Sequence, residues 1–293
     1  MKEKILLINI DSKIPNLALK KIEKYYLTCG AEVFWNSYLH RDIADRIYVS
    51  CIFTKNKWKC EEWKGIAEIG GTGYDIKKTL PDKIEQVKPR INWGFTTRGC
   101  IRKCPFCFVP EKEGMIHSVG DIYDIWDGKS KDITIMDNNI LGLPDHFKKI
   151  CKQLRKEKLR VNFNQGLDVR LVNDDIIKEL KSIRHTQYYF AWDDDSDLLE
   201  KFEYIYKHLN QCSVFILVGF NTSFDDDLKK CNELKKIGHR PYIMRFETVY
   251  SDPKYIQLAR WANQRHIFSK MNFCEFAKTD QGKKKNMGQL EFM

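Results

Sequence analysis

Three cysteines, Cys100, Cys104 and Cys107, stand in the run Arg98-Gly99-Cys100-Ile101-Arg102-Lys103-Cys104-Pro105-Phe106-Cys107. Thiolates are the soft ligands that hold Fe4S4 clusters, and coordinating every iron takes four of them. Three therefore imply a cluster with one iron left open to another ligand. A Cys3His zinc site that recruits His117 is the competing reading. Zinc pairs usually come as two Cys-x-x-Cys turns, and a three-residue gap followed by a two-residue gap is unusual for them. A redox pair of Cys104 and Cys107 leaves Cys100 without a role. Three unrelated buried thiols are the remaining alternative, which needs so tight a cluster beside Gly99 and Pro105 to arise by chance.

The elements around this loop repeat as strand then helix. Asn92 to Thr97 reads as a strand that delivers the chain to the cysteines. Asp132 to Met136, Arg160 to Asn164, Gln187 to Trp192, Ser213 to Val218 and Pro241 to Phe246 are five more. Helical spacing follows at Leu143 to Glu157, Asp174 to Ser182, Ser196 to Leu209 and Asp225 to Ile237. Six such units with right-handed crossovers curl into a partial (βα)6 barrel spanning residues 89–250.

In parallel α/β folds, ligands bind at the carboxyl ends of the strands. Polar residues gather at these ends: Asp137, Asn138 and Asn139 after the second strand; Asn164, Gln165, Asp168 and Arg170 after the third. Asp193 follows the fourth, Gly219 the fifth, and Arg245 and Glu247 the sixth. Each has a structural explanation as a cap of the next helix. The succession of five favours a site.

The Cys-x-x-x-Cys-x-x-Cys order, the aromatic Phe106 before the last cysteine and the strand before the first resemble the signature of radical S-adenosylmethionine (radical SAM) enzymes. The runs Phe95-Thr96-Thr97-Arg98-Gly99-Cys100, Pro110-Glu111-Lys112-Glu113-Gly114 and Asn164-Gln165-Gly166-Leu167-Asp168-Val169-Arg170 look like those of bacterial and phage members of that superfamily. The resemblance implies a [4Fe-4S] cluster on Cys100, Cys104 and Cys107 whose open iron is chelated by S-adenosylmethionine. It implies reductive cleavage of that cofactor, with an electron from a flavodoxin or ferredoxin type of donor, and hydrogen abstraction from a substrate. The family's second strand usually ends in Gly-Gly-Glu. Here Asp137-Asn138-Asn139 keeps oxygens that accept from the cofactor's ammonium. By the same resemblance Arg170 pairs with its carboxylate, Asn164, Gln165 or Asp193 with its ribose, Gly219 lies beside adenine, and Phe106 packs near cluster and adenine.

Residues 1–88 read as a small open parallel α/β (flavodoxin-like, Rossmann-like) domain. Its strands are Ile5 to Ile10, Ala31 to Phe34, Arg46 to Phe53 and Ile66 to Gly71, and its first helix begins near Pro15. The glycine run Gly70-Gly71-Thr72-Gly73 makes a tight turn there. This arrangement is similar to the cobalamin-binding domain that precedes the cysteine motif in one branch of the superfamily. The domain is short and lacks the Asp-x-His-x-x-Gly motif, so a degenerate domain without cobalamin is preferred over one serving a cobalamin-dependent methyltransferase.

The chain carries 50 Lys and Arg against 40 Asp and Glu, a net charge of +10. Residues 251–293 form a basic extension; from 254 onward it holds eight basic and three acidic residues, a net of +5. Such a surface favours polyanions, and Trp261, Phe268, Phe273 and Phe276 offer rings that stack on bases or pack on the barrel mouth. A nucleic acid or nucleotide is therefore one candidate substrate class, a solvated lysine-rich tail being the structural alternative, and the sequence does not name the substrate. A non-enzymatic zinc module that binds nucleic acid is the alternative from another class. The seven cysteines outside the motif show no disulfide framework, and no stretch has the roughly 20 apolar residues of a membrane span. Both point to a cytoplasmic protein with no membrane partner.

Overall fold

The continuous apolar runs of the amino-terminal strands, Ile5 to Ile8 and Ile47 to Val49, suit a sheet covered on both faces. The computed structural model describes residues 1–193 and 197–283, which divide into two units. The first comprises Met1–Gly94 and Tyr123–Asp127. Its strands β1 (Lys4–Asn9), β2 (Glu32–Trp35), β3 (Arg46–Ser50) and β4 (Glu68–Gly70) form a parallel sheet in the order β2-β1-β3-β4. Ile5, Leu7 and Tyr48 pack on one face against Leu19, Ile22 and Tyr26 of α1 (Leu17–Thr28). Leu6, Ile8 and Val49 pack on the other against Cys51, Cys60, Trp63 and Ile69. Asn16 caps α1 by accepting from Leu19 N at 3.2 Å and ties it to β3 by donating to Ser50 Oγ at 2.8 Å. Between β3 and β4 the chain runs through a 3-10 helix, Thr54–Trp63, where a parallel crossover more often has an α-helix.

The glycine run after β4 has a local explanation. A Cβ on Gly71 would stand 2.3 Å from the Cys51 carbonyl oxygen, and one on Gly73 would stand 2.4 Å from the Phe53 carbonyl carbon. The glycines let this turn lie directly on the segment that leaves β3.

After the short α2 (Asp82–Glu85), the strand expected over residues 92–97 is broken into β5 (Trp93–Gly94) and β6 (Thr97–Arg98). Across β6 lies β7 (His117–Ser118), antiparallel to it, with α3 (Val109–Glu113) between them and α4 (Ile122–Ile125) beyond. The second unit, Phe95–Ile122 and the described residues from Gly128 on, continues through β8 (Asp132–Ile135), α5 (Pro144–Lys156), β9 (Arg160–Phe163), β10 (Leu167–Asp168), α6 (Asp174–Lys181) and β11 (Arg184–His185). It ends with β12 (Tyr189–Ala191), α7 (Leu199–Leu209), β13 (Ser213–Val218), α8 (Phe224–Ile237), β14 (Arg240–Arg245), α9 (Pro253–Ala262), α10 (Arg265–Lys270), α11 (Phe273–Lys278) and α12 (Asp280–Lys283). Buried residues recur on α5 at Phe147, Ile150, Cys151 and Leu154, the spacing of one helix face. The strands are parallel, in the runs β11-β9-β8 and β10-β12-β13-β14, and no closed barrel forms among the described residues. The third sequence unit supplies both runs: β9 pairs with β8, and, past a turn at Gly166 (φ 85°), β10 pairs with β12.

The carboxyl-terminal helices fall within the second unit. Trp261 is fully buried against Phe268 and Phe273, at ring-centroid distances of 4.8 and 5.7 Å, so these aromatics pack with one another. Lys284 and Lys285 lie outside the described residues, as does the expected helix start at Ser196. No helix among the described residues is long and apolar enough to cross a membrane.

His239 sets one pH dependence of folding. It is buried at the start of β14, its Nδ1 accepting from Cys212 N at 3.1 Å and its Nε2 facing the Phe202 carbonyl at 2.8 Å. An amide only donates and a carbonyl only accepts, so the ring is neutral with its proton on Nε2. Burial holds it below the ordinary histidine value, and His146 and His185 are lowered by burial as well. The unfolded chain then binds the proton more readily, so stability present above about pH 6.5 is lost as pH falls below it. The urea midpoint should drop between pH 7.5 and 5.5, and less steeply in a His239→Gln variant; equal slopes would remove His239 from this account.

Candidate functional site

Cys100, Cys104 and Cys107 lie on the loop between β6 and α3 and are all partly exposed. Gly99 makes the entry to this loop. Its φ is 78°, and a Cβ there would meet the Met115 and Gly114 carbonyl oxygens at 2.5 and 2.7 Å. Glu113, at the end of α3, closes the loop from below: it accepts from Gly99 N at 2.9 Å, Asn138 Nδ2 at 2.8 Å and Arg98 Nη2 at 2.8 Å. Cys100 N donates to the Gly114 carbonyl at 3.2 Å, and Cys107 N to the Cys104 carbonyl at 3.0 Å.

Asp168 is the second anchor. Its Oδ2 accepts from Arg102 Nε at 2.9 Å and Asn139 Nδ2 at 3.2 Å, and its Oδ1 from Arg170 Nε at 2.8 Å and Arg170 N at 3.2 Å. Burial of this carboxylate works upward, but the Arg170 and Arg102 hydrogen bonds prevail and hold it below the usual range. The cysteine loop is thus tied to the ends of both β8 and β10. Its other side reaches β13 and β14, because Phe106 meets Phe220 edge-to-face at 5.3 Å and Phe220 meets Phe246 at 4.9 Å.

The sulfur of Cys100 receives Arg102 N at 3.3 Å and Asn139 Nδ2 at 3.6 Å. Such N–H donors suit a sulfur that carries thiolate charge. Burial pushes the Cys104 and Cys107 thiols up; Arg170 opposes this at Cys104, while Asp193 and the neighbouring thiols add to it at both. Asn139 is buried, and its Oδ1 has no partner among the described residues. Three soft donors on one braced loop, with an orphaned amide oxygen beside the first of them, fit the cluster-plus-ligand set implied by the spacing. Among the described residues no group of three or more His, Cys, Asp or Glu side chains, the three cysteines included, is placed to hold a metal ion as the side chains stand.

The other expected site residues divide. Asp137 is buried, and its carboxylate is taken by Thr96 N at 2.6 Å, Thr96 Oγ1 at 2.5 Å and Thr97 N at 2.9 Å. It braces the chain before the cysteines, which leaves Asn138 and Asn139 as the residues of that strand end turned to the loop. Burial pushes the Asp137 carboxyl up against these hydrogen bonds. Arg170 is held through Asp168 rather than standing alone. Asp193 accepts from Leu217 N at 3.1 Å, Asn164 Nδ2 approaches the Met136 sulfur at 3.7 Å, and Gln165 is exposed.

Gly219 has a structural reason to be glycine: at φ 78°, a Cβ would stand 2.3 Å from Val249. Its N–H donates to Asp227 at 3.0 Å and its carbonyl accepts from Thr248 Oγ1 at 3.1 Å, so the backbone groups expected to read adenine are engaged within the protein. His117, the alternative fourth ligand, is exposed on β7, with Nδ1 3.0 Å from the Met115 carbonyl. Glu113 and the double anchoring by Asp168 escaped the sequence reading, although both residues lie in runs it had singled out. No protein-family model matches the chain, and no curated protein matches it.

Proposed function

We propose that the second unit is a radical SAM enzyme: a partial barrel whose Cys100, Cys104 and Cys107 hold a [4Fe-4S] cluster with one iron open to S-adenosylmethionine. The observation that carries this reading is the braced three-thiol loop, joined by Asp168 and Asn139 to strand ends on one side and by Phe106 on the other. Bound there, the cluster supplies the electron that cleaves S-adenosylmethionine and so yields a hydrogen-abstracting radical.

The chain's own residues do the positioning. Arg102 N and Asn139 Nδ2 donate to the Cys100 sulfur and orient it. The Asn139 Oδ1 accepts an N–H from the cofactor's ammonium, which satisfies the one buried polar atom of that strand end left without a partner. Asp168 fixes the plane of the Arg170 guanidinium, which then pairs with the cofactor's carboxylate. Phe106 and Phe220 exclude water from the loop, which keeps a reactive species from being quenched. A flavodoxin or ferredoxin type of donor provides the electron, and the first unit acts without cobalamin.

Anaerobically purified protein incubated with S-adenosylmethionine and a strong reductant should release 5′-deoxyadenosine. Asn139→Ala should weaken cofactor binding about tenfold, the worth of one hydrogen bond to a charged group. Iron-replete protein that releases none would rule out this activity.

A further inference from the structure

Along β12, β13 and β14 the buried residues alternate with half-buried ones. Phe190, Val214, Ile216 and Ile243 are buried, and α8 packs against β13 and β14. The opposite, half-buried face carries Tyr189, Phe215, Arg240 and Tyr242. In register, Ser213 lies between Tyr189 on one side and Arg240 on the other, while Phe215 neighbours Tyr242. The rings form a row: Tyr189 stacks on Phe215 at 5.3 Å and 11°, and Phe215 meets Tyr242 at 5.7 Å and 81°.

One step along β14, towards its start, the Arg240 Nε is buried with no partner. Asn263 pins the end of α9 to the same strand, bonding Ile243 N at 2.6 Å and the Ile243 carbonyl at 3.2 Å. That brings Arg265, the first residue of α10, near Arg240. Burial, then the charge of Arg265, pushes Arg240 below the ordinary arginine value. Among the described residues neither guanidinium pairs with a carboxylate. A guanidinium with a desolvated N–H left unbonded, within the field of a second positive charge, is costly until an anion joins it. Arginine forks match phosphate, and a row of rings stacks on a planar base. Residues 240 and 242 lie about 7 Å apart on one strand face, the span a ribose bridges between a base and its 5′-phosphate.

We propose that this face binds a mononucleotide, its phosphate on Arg240 and Arg265 and its base on Phe215 and Tyr242, directed towards the carboxyl strand ends where the cysteine loop lies. Its standing as the substrate rests on the radical reading above; its binding does not.

Titration calorimetry of the full chain with uridine 5′-monophosphate, uridine and inorganic phosphate tests it. The monophosphate should bind, and Arg240→Gln and Arg265→Gln should each weaken it about tenfold or more while leaving uridine affinity unchanged. Arg240→Lys should fall between wild type and Arg240→Gln, and Tyr242→Ala should weaken nucleotide and nucleoside alike. Thermal unfolding of each variant establishes that it is folded. Equal monophosphate affinity in wild type and the folded double glutamine variant would overturn the proposal. So would a single-stranded RNA that binds when the monophosphate does not, which would assign the face to polynucleotide. Because binding is read without turnover, absence of iron or of 5′-deoxyadenosine release sinks the radical reading and leaves this result standing.

Discussion

Asp168→Ala is expected to destabilise the protein by about 2 to 3 kcal/mol. The carboxylate is nearly buried and joins Arg102, Asn139 and Arg170 through both oxygens. Breaking a fully buried pair costs about 3–5 kcal/mol, and the partial exposure of the two arginines discounts that figure. The loss is read as a lower urea midpoint at unchanged slope. The effect also has a pH signature. The native carboxyl sits below its unfolded value, so its stabilisation is full above about pH 4 and fades as pH falls through the native value. The gap between wild type and Asp168→Asn should therefore narrow in acid. A loss below about 0.5 kcal/mol would mean the anchor holds little.

Gly99→Ala is expected to disrupt the cysteine loop itself. The left-handed backbone costs a non-glycine residue about 1–2 kcal/mol. The new Cβ would also press on two backbone oxygens, of Met115 and Gly114, that no rotamer can move. Together these should exceed about 3 kcal/mol and shift Cys100 away from its N–H donors. Alanine at Gly30, whose φ is 83° with nothing within 4 Å, should cost only the backbone share. Denaturation of the two variants side by side separates strain from collision; equal losses would show that the carbonyls yield.

Local pattern revealed much of this architecture. β8, β9, β13 and β14 stand within a residue or two of their expected places, because short runs with an apolar residue at every second position admit few other readings. The helix after β8 was legible from the face formed by Phe147, Ile150, Cys151 and Leu154. The broken strand before the cysteines was not. Its residues Phe95 and Thr96 are diverted between β5 and β6 because Asp137 draws in the Thr96 and Thr97 amides, and that carboxylate lies some forty residues on. Leu167 and Asp168 likewise read as a loop and form a strand only by pairing with β12.

The cysteine loop and the strand ends around it were found by type and spacing. The roles of Asp137, Asp168 and Gly219 were hidden because each depends on a partner far along the chain or on a single van der Waals contact. Phe106 was expected beside cluster and adenine; in the fold its ring meets Phe220.

The proposed chemistry depends on a cluster held by Cys100, Cys104 and Cys107. Iron, zinc and sulfide analysis of the anaerobically purified full chain, beside a variant with all three cysteines changed to alanine, tests it most directly. About four irons per chain are expected, with matching sulfide, and their loss in the variant. Stoichiometric zinc without iron in the wild-type protein, or iron that survives removal of all three thiols, would contradict it.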